Sequence, residues 1–322
     1  MSAPTEHRRS ATRRAVVIAV LAVVMGSLFV ASYSLALGDP VPHRIEAALV
    51  GDPATHESTV DAVQRVAQGG LVFHSYASVA DALHAVDEQD VYAALDLTAP
   101  TPTLYVSSAA GASVARVLEQ VAVADPAVRV VDTRPLGTHD PNGVEIFYLM
   151  LVATIVGFIT VFQVGANAGP FSPRRWTAFV TGLAVGASLV FTLVDGLLHR
   201  LTLPIPESWG ILALHILAVA SFCSLMVVLI GRWAIVPTWL LFVVLGNSSS
   251  GGAVAPPLLP APFAFVSQWL PSGATVTSLR NAVYFVNCQH VQPIAVLAVW
   301  AVALFGAMIV VTHKLGKSPG TD

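Results

Sequence analysis

A run of 23 residues without a single charge, Ala15–Leu37, most narrows what this chain can become. At about 1.5 Å per residue a helix of that length covers the ~30 Å hydrocarbon core of a bilayer. Within such a core only a helix or a closed barrel pairs its own backbone groups. Further apolar runs follow at 144–164, 176–198, 209–230, 233–254 and 291–313. With 55% apolar and only 11% charged residues, a soluble protein of 322 residues could not cover this much apolar surface. The expected fold is an α-helical integral membrane protein with six transmembrane helices and an inserted extracytoplasmic α/β domain.

Charge sets the orientation. Arg8, Arg9, Arg13 and Arg14 precede the first run, which places residues 1–14 in the cytoplasm. Six crossings return residues 314–322 to the same side, together with Arg174, Arg175, Arg232, Lys314 and Lys317. The short outer loops carry only Arg200 and Arg280. The expected location is the plasma (cytoplasmic) membrane, multi-pass, with both termini cytoplasmic and residues 38–143 outside. A cleaved signal peptide is the rival reading of the first run. Its apolar region is normally ~7–15 residues and ends in an A-x-A-like site. Residues 34–37 offer no clean site, which favours an uncleaved anchor.

The acids are segregated: all but Glu6, Asp195, Glu207 and Asp322 lie between Asp39 and Glu145. In residues 38–143 the hydrophobic period alternates between two and 3.6. Strands are expected at Ile45–Val50, 71–74, 91–97, Thr103–Val106 and 128–131, and helices at 58–68, 78–86 and 112–123. That alternation predicts a small α/β domain. His43, His56, His74, His84 and His139 are scattered without metal-ligand spacing, and there is no G-x-S-x-G elbow. No catalytic, metal or cofactor site is expected, so the chain reads as a non-enzyme. Beyond the short N-terminal arginine cluster there is no basic patch for nucleic acid. Cys223 and Cys288 are too few for a disulfide framework and read as packing residues, with a free thiol at Cys288 the alternative.

Polar residues within apolar runs are costly and therefore informative. Asp195, near the outer end of the third run, and His215, about two turns into the fourth, should lie at similar depth. The expectation is an Asp195–His215 pair lining an outward-opening cavity; the plainer reading is that Asp195 reaches the headgroups and His215 bonds a backbone carbonyl. Gly182 and Gly186 form a small-xxx-small pattern suited to close helix packing, within the chain or between chains. The largest anomaly is Gly246, Asn247, Ser248, Ser249, Ser250, Gly251 and Gly252, which interrupts the fifth run at membrane depth. Irregular backbone there is tolerated only when buried in protein or facing a water-filled cavity. Pro256, Pro257, Pro260 and Pro262, the apolar run 263–270 and the amphipathic run 274–286 with Arg280 follow. Residues 255–290 are therefore expected to form one or two short helices re-entering from the outer face.

These residues resemble membrane proteins of the YhgE/Pip type, within the superfamily of type-2 ABC-transporter permeases, which have one span, an extracytoplasmic domain and then five spans. The resemblance rests on Gly246 to Gly252, Leu258-Leu259-Pro260, Leu270-Pro271-Ser272-Gly273 and the stretch from Leu279 to Phe285. It rests also on Val91-Tyr92-Ala93-Ala94-Leu95, Ser107-Ser108-Ala109-Ala110-Gly111 and Asp140-Pro141-Asn142-Gly143. It implies a homodimeric or pseudo-dimeric export permease in the lipid bilayer, with Gly246–Gly252 and Arg280 along the transport path and a separate cytoplasmic ATPase. The chain has no Walker A: Gly316-Lys317-Ser318 lacks the glycine five residues earlier. Such permeases commonly meet their ATPase through an N-terminal amphipathic helix and a helix between spans two and three. Here about fourteen residues precede the membrane, and the loop 165–175 contains Pro170 and Pro173. Two functions follow: a permease-like subunit exporting an amphipathic or lipid-like compound, or a non-transporting envelope protein whose outer domain binds a partner or supports secretion.

Overall fold

A computed structural model describes residues 3–168, 171–286 and 288–319. Gly169 and Pro170 of the expected second loop, Asn287 of the outer segment and the extreme ends of both tails lie outside the described residues.

Helix α1, Ala3–Leu37, includes the arginine cluster as well as the first apolar run. After it the chain builds an α/β unit from β1 (Ile45–Val50), α2 (Glu57–Val66), β2 (Leu71–Tyr76), α3 (Val79–Asp87), β3 (Ala93–Asp96), β4 (Thr103–Val106), α4 (Ala112–Glu119), α5 (Val121–Ala124) and β5 (Arg129–Asp132). The expected strands and helices of this unit are all present, with ends shifted by at most two residues. The sole split is at Gln120, which divides the expected third helix into α4 and α5.

The sheet order is β2-β1-β3-β4-β5, parallel except for the antiparallel β3–β4 pair. Period-two alternation in β1 sends Ile45, Ala47 and Leu49 to one face and Ala48 and Val50 to the other. The first face packs with Val63 of α2 and Val114 and Leu118 of α4, the second with Ala82, Ala85 and Val86 of α3. Both faces are covered, as mostly parallel sheets require. Local chemistry sets the helix starts: the Ser78 hydroxyl accepts from Asp81 N–H at 3.1 Å, an N-cap for α3.

Among the described residues, five helical runs are long and apolar enough to cross a membrane: Ala15–Leu37, Glu145–Asn167, Pro173–Leu198, Ile205–Asn247 and Val291–Leu315. Their apolar side chains remain exposed in the isolated chain, for example Ile18 at 64%, Leu197 at 78% and Val302 at 68%. Helices α6 (Glu145–Asn167), α7 (Pro173–Leu198) and α12 (Val291–Leu315) match expected spans two, three and six. The fourth run contains expected spans four and five and is folded back on itself. Helix α8 (Ile205–Ile230) stops at Gly231, whose φ of 59° lies in the left-handed region open mainly to glycine. A 3₁₀ turn at Gly231–Ala234, the single turn α9 (Ile235–Thr238) and a π-helix, Trp239–Asn247, form a returning leg. The Phe222 and Phe242 ring centroids are 5.5 Å apart, whereas twenty residues of straight helix would separate them by about 30 Å.

The expected fifth span over 233–254 is corrected: regular helix ends at Asn247. Beyond it the Ser248 and Ser249 hydroxyls bond back to the carbonyls of Val244 and Leu245, at 2.6 and 2.7 Å, and Gly251 turns left-handed with φ +74°. Such back-bonding competes with continuation of the helical ladder.

The returning leg runs parallel to α1. Arg13 and Arg232 line one cavity, the Phe29 and Trp239 rings lie 6.2 Å apart, and Ser32 donates to Val244 O at 2.7 Å. Asp140 accepts from the N–H groups of Val144 and Glu145, joining the sheet unit to the start of α6. Arg200 and His290 also bond to that unit, through His139 O and Glu88 O. At the opposite end Ser318 reaches Phe171 O at 2.6 Å. The sheet unit thus caps one end of the bundle, and the distal end carries Arg13, Arg174, Arg175, Arg232, Lys314 and Lys317.

The reversal is directly testable. With both native cysteines replaced by serine, cysteines at Phe222 and Phe242 should cross-link on mild oxidation, and a pair at Phe222 and Ile235 should cross-link less. Failure of the first pair, read by mobility of a protease-nicked chain, would contradict the hairpin.

Candidate functional site

The bundle interior beneath the sheet unit is where the polar residues converge. After the break at Asn247 come α10 (Ala261–Ser267) and α11 (Pro271–Tyr284), the two short helices expected in the outer segment. Helix α11 is almost wholly buried, packed against α6, α8, α12 and the π-helix. Ala274, Val276, Leu279 and Val283 join Met150, Leu212, Ile216 and Leu297 in one apolar cluster. Around the same helix Ser272, Thr275, Ser278, Asn281 and Tyr284 recur every three residues, a polar stripe winding slowly across the buried surface. The first four are fully buried. The side chains of Ser272, Ser278 and Asn281 have no hydrogen-bond partner among the described residues. Each such group carries a penalty of about 1–3 kcal/mol in an apolar interior. This stripe was not singled out from the sequence, although its three-residue spacing within 271–284 is readable there.

Thr275 anchors the stripe through His215. The fully buried imidazole meets Thr275 Oγ1 with Nδ1 at 2.9 Å and Thr154 Oγ1 with Nε2 at 2.8 Å. Thr154 also reaches Met150 O at 3.0 Å, and the ring lies against the Pro271 backbone, so either nitrogen can carry the proton. Whichever does, the histidine ties α6, α8 and α11 together.

Asp195 and His215 do not pair. Both ring nitrogens of His215 are taken by threonines, which matched helix depth alone could not reveal. Asp195, 2% exposed, lies beneath the sheet unit with Glu145, Asp140 and Arg200 as charged neighbours. The Leu201 backbone is near its carboxylate, but at a geometry too poor for a proper hydrogen bond. Gly182 and Gly186 face open space within the described residues, so they serve no helix contact inside the chain.

Asn247, Ser248, Ser249 and Ser250 are each no more than 2% exposed, which places the interrupted helix within protein. The serine hydroxyls are turned inward: Ser248 Oγ lies 2.9 Å from Ser32 Oγ of α1, the two converging on Val244 O, and Ser250 donates to Asn247 O. Gly246 is where α11 comes closest, since a Cβ there would sit 2.7 Å from Ser272 Oγ and 2.9 Å from Leu241 O. Arg280 donates to Gly251 O at 3.0 Å and holds the turn that follows the serines.

That turn leads straight into the sheet unit. Ala255 N–H donates to Ser113 Oγ of α4 at 2.9 Å, and His43 N–H to Pro257 O at 2.7 Å. Ala255 and Leu258, 3% and 1% exposed, complete the apolar core of the sheet unit. Tyr92 packs beside this junction; burial pushes its phenol up from the ordinary tyrosine range, partly offset by Arg280. The sheet unit and the broken helix thus share one core. Cys223 is buried and Cys288 partly so, both as free thiols. Among the described residues no cluster of three or more histidines, cysteines or acids is arranged to hold a metal ion.

The chain matches no protein-family model, no curated protein and no solved structure.

The histidine tie yields a graded expectation. Thr275→Val keeps the shape but leaves Nδ1 unpaired, for a loss of about 1–2 kcal/mol. His215→Ala orphans Thr275 and opens a cavity, for a larger loss of about 3 kcal/mol. Thermal unfolding in detergent should rank wild type above T275V above H215A; equal midpoints would refute the tie. Gly246→Val should destabilise by at least as much as T275V, because a Cβ there meets both Ser272 and the backbone.

Proposed function

We propose that this chain is a six-span, permease-like membrane subunit that exports an amphipathic or lipid-like compound, with a separate cytoplasmic ATPase supplying energy. The observation that carries this reading is the polar stripe of α11, buried in an otherwise apolar bundle directly beneath the outer unit. A helix serving only as an anchor gains nothing from unpaired Ser272, Ser278 and Asn281 at 0% exposure. Such groups in membrane helices typically mark a path or a binding surface. The π-helix supports the same reading, since π geometry occurs mostly as single turns and frequently at functional positions.

Six crossings are supported by the fold-back at Gly231, the parallel course of α1 and the returning leg, and the basic residues gathered at the distal end. The shared core at Ala255 and Leu258 couples the outer unit to the broken helix, so an event at one is felt at the other. Membership in the YhgE/Pip type remains part of this proposal. It rests on the stretches around Gly246 to Gly252 and Leu279 to Phe285.

The distal face favours the second reading, a non-transporting envelope protein with a partner outside. Helix α6 ends at Asn167 and α7 begins at Pro173, and the five residues between them are too few for a helix that could seat an ATPase.

Two measurements test the proposal. In intact cells a membrane-impermeant maleimide should label a cysteine at Ser58, while one at Ser172 should react only after permeabilisation; reaction at Ser172 in intact cells would refute the topology. Capture from detergent extract should recover an ATPase whose hydrolysis requires the full chain. Recovery of an outer partner without any ATPase would support the second reading over the first.

A further inference from the structure

Between α1 and the start of the returning leg lies a cavity of about 560 Å³, open to the side of the bundle. Its walls include Val17, Leu21 and Met25 of α1 with Trp233 opposite, and Arg13 and Arg232 stand at its distal mouth. Val17 and Trp233 are each 45% exposed, so the apolar wall is accessible from outside. The volume lies within the ~300–1,000 Å³ of ordinary small-molecule sites. Among the described residues neither arginine has a carboxylate partner. The Arg232 guanidinium rests over the Trp233 ring, 5.7 Å from its centre, which orients it toward the mouth without using its N–H donors.

Dimensions and charge together select the occupant. From Arg13 to Met25 the wall rises about 18 Å along the helix, close to the half-thickness of a ~30 Å hydrocarbon core. An acyl chain lying against it would bring its headgroup level with the two arginines. A guanidinium pair recognises a phosphodiester by charge-assisted, bidentate hydrogen bonds. A second copy of the chain fits poorly, since it would bring further arginines against these two.

We infer that this groove is a binding site for an acidic phospholipid of the cytoplasmic leaflet, its phosphate held by Arg13 and Arg232 and its acyl chain along α1. The inference rests on the membrane reading above but not on transport.

Trp233 provides the probe. The full chain is reconstituted into vesicles of phosphatidylcholine with increasing phosphatidylglycerol, one or the other carrying dibrominated acyl chains that quench nearby tryptophan. Brominated phosphatidylglycerol should quench preferentially, with an apparent preference on the order of tenfold. Trp233→Phe should remove that excess. R13Q/R232Q should abolish the preference without lowering the unfolding midpoint, and R13K/R232K should retain most of it. Equal quenching by the two lipids, a preference that survives R13Q/R232Q, or one that survives W233F would overturn the site. Loss of the preference on adding inorganic phosphate at constant ionic strength would make it a simple anion site and overturn the lipid assignment. Flotation separates the two levels: a chain that does not float with vesicles fails the membrane reading itself, whereas one that floats without preference fails only this inference.

Discussion

Ala255 and Leu258 leave the bundle and finish the core of the sheet unit, and the arrangement of both parts depends on that insertion. The sheet unit has a nearly complete interior of its own, but its α4 side is closed by residues that lie just beyond the broken helix. The turn before them is held by Arg280 on Gly251 O, and the chain after them returns as α11 into the bundle. Apolar burial at one end and backbone hydrogen bonds at the other therefore hold the segment between Asn247 and Pro271 in place. Moving the sheet unit without moving α11 would expose Ala255 and Leu258 and unpair the bonds at Ser113 and Pro257.

The interior is organised by donor and acceptor arithmetic as much as by apolar contact. His215 is held at both ring nitrogens by threonines from two different helices, Thr154 of α6 and Thr275 of α11. The serines after Asn247 satisfy themselves by bonding back to helix carbonyls. The stripe on α11 is different: Ser272, Ser278 and Asn281 are buried to the same degree yet make no such bonds. This contrast separates polar groups whose bonds build the fold from polar groups that contribute none to it.

Several of these features were legible from residue order. Ile45–Val50 and Thr103–Val106 were readable to the residue, because alternation with a period of two has few competing explanations. Helix ends in the bundle were readable within a few residues from proline, glycine and charge. The end of the fifth run was misplaced by seven residues, since hydropathy does not register hydroxyls bonding back onto the backbone. The expected Asp195–His215 contact failed for a related reason: depth along a helix is readable, but which way a side chain faces depends on its neighbours. The α11 stripe is hidden in residue order, because small polar residues spaced by three suit a solvated helix face as well as a buried one.

Local periodicity and composition, by themselves, determined that long apolar helices exist, that an α/β unit is inserted after the first of them, and that basic residues collect in particular loops. These are properties of single segments, set by side-chain spacing and backbone hydrogen bonding over a few residues. Only the tertiary structure decided that Ile205–Asn247 is two antiparallel legs, that His215 is bonded to threonines, and that the sheet unit and the broken helix share a core. Those outcomes come from contacts between residues far apart in the chain, such as Phe222 with Phe242 and Thr154 with His215 and Thr275. Their energies depend on three-dimensional complementarity, which no local window of sequence contains.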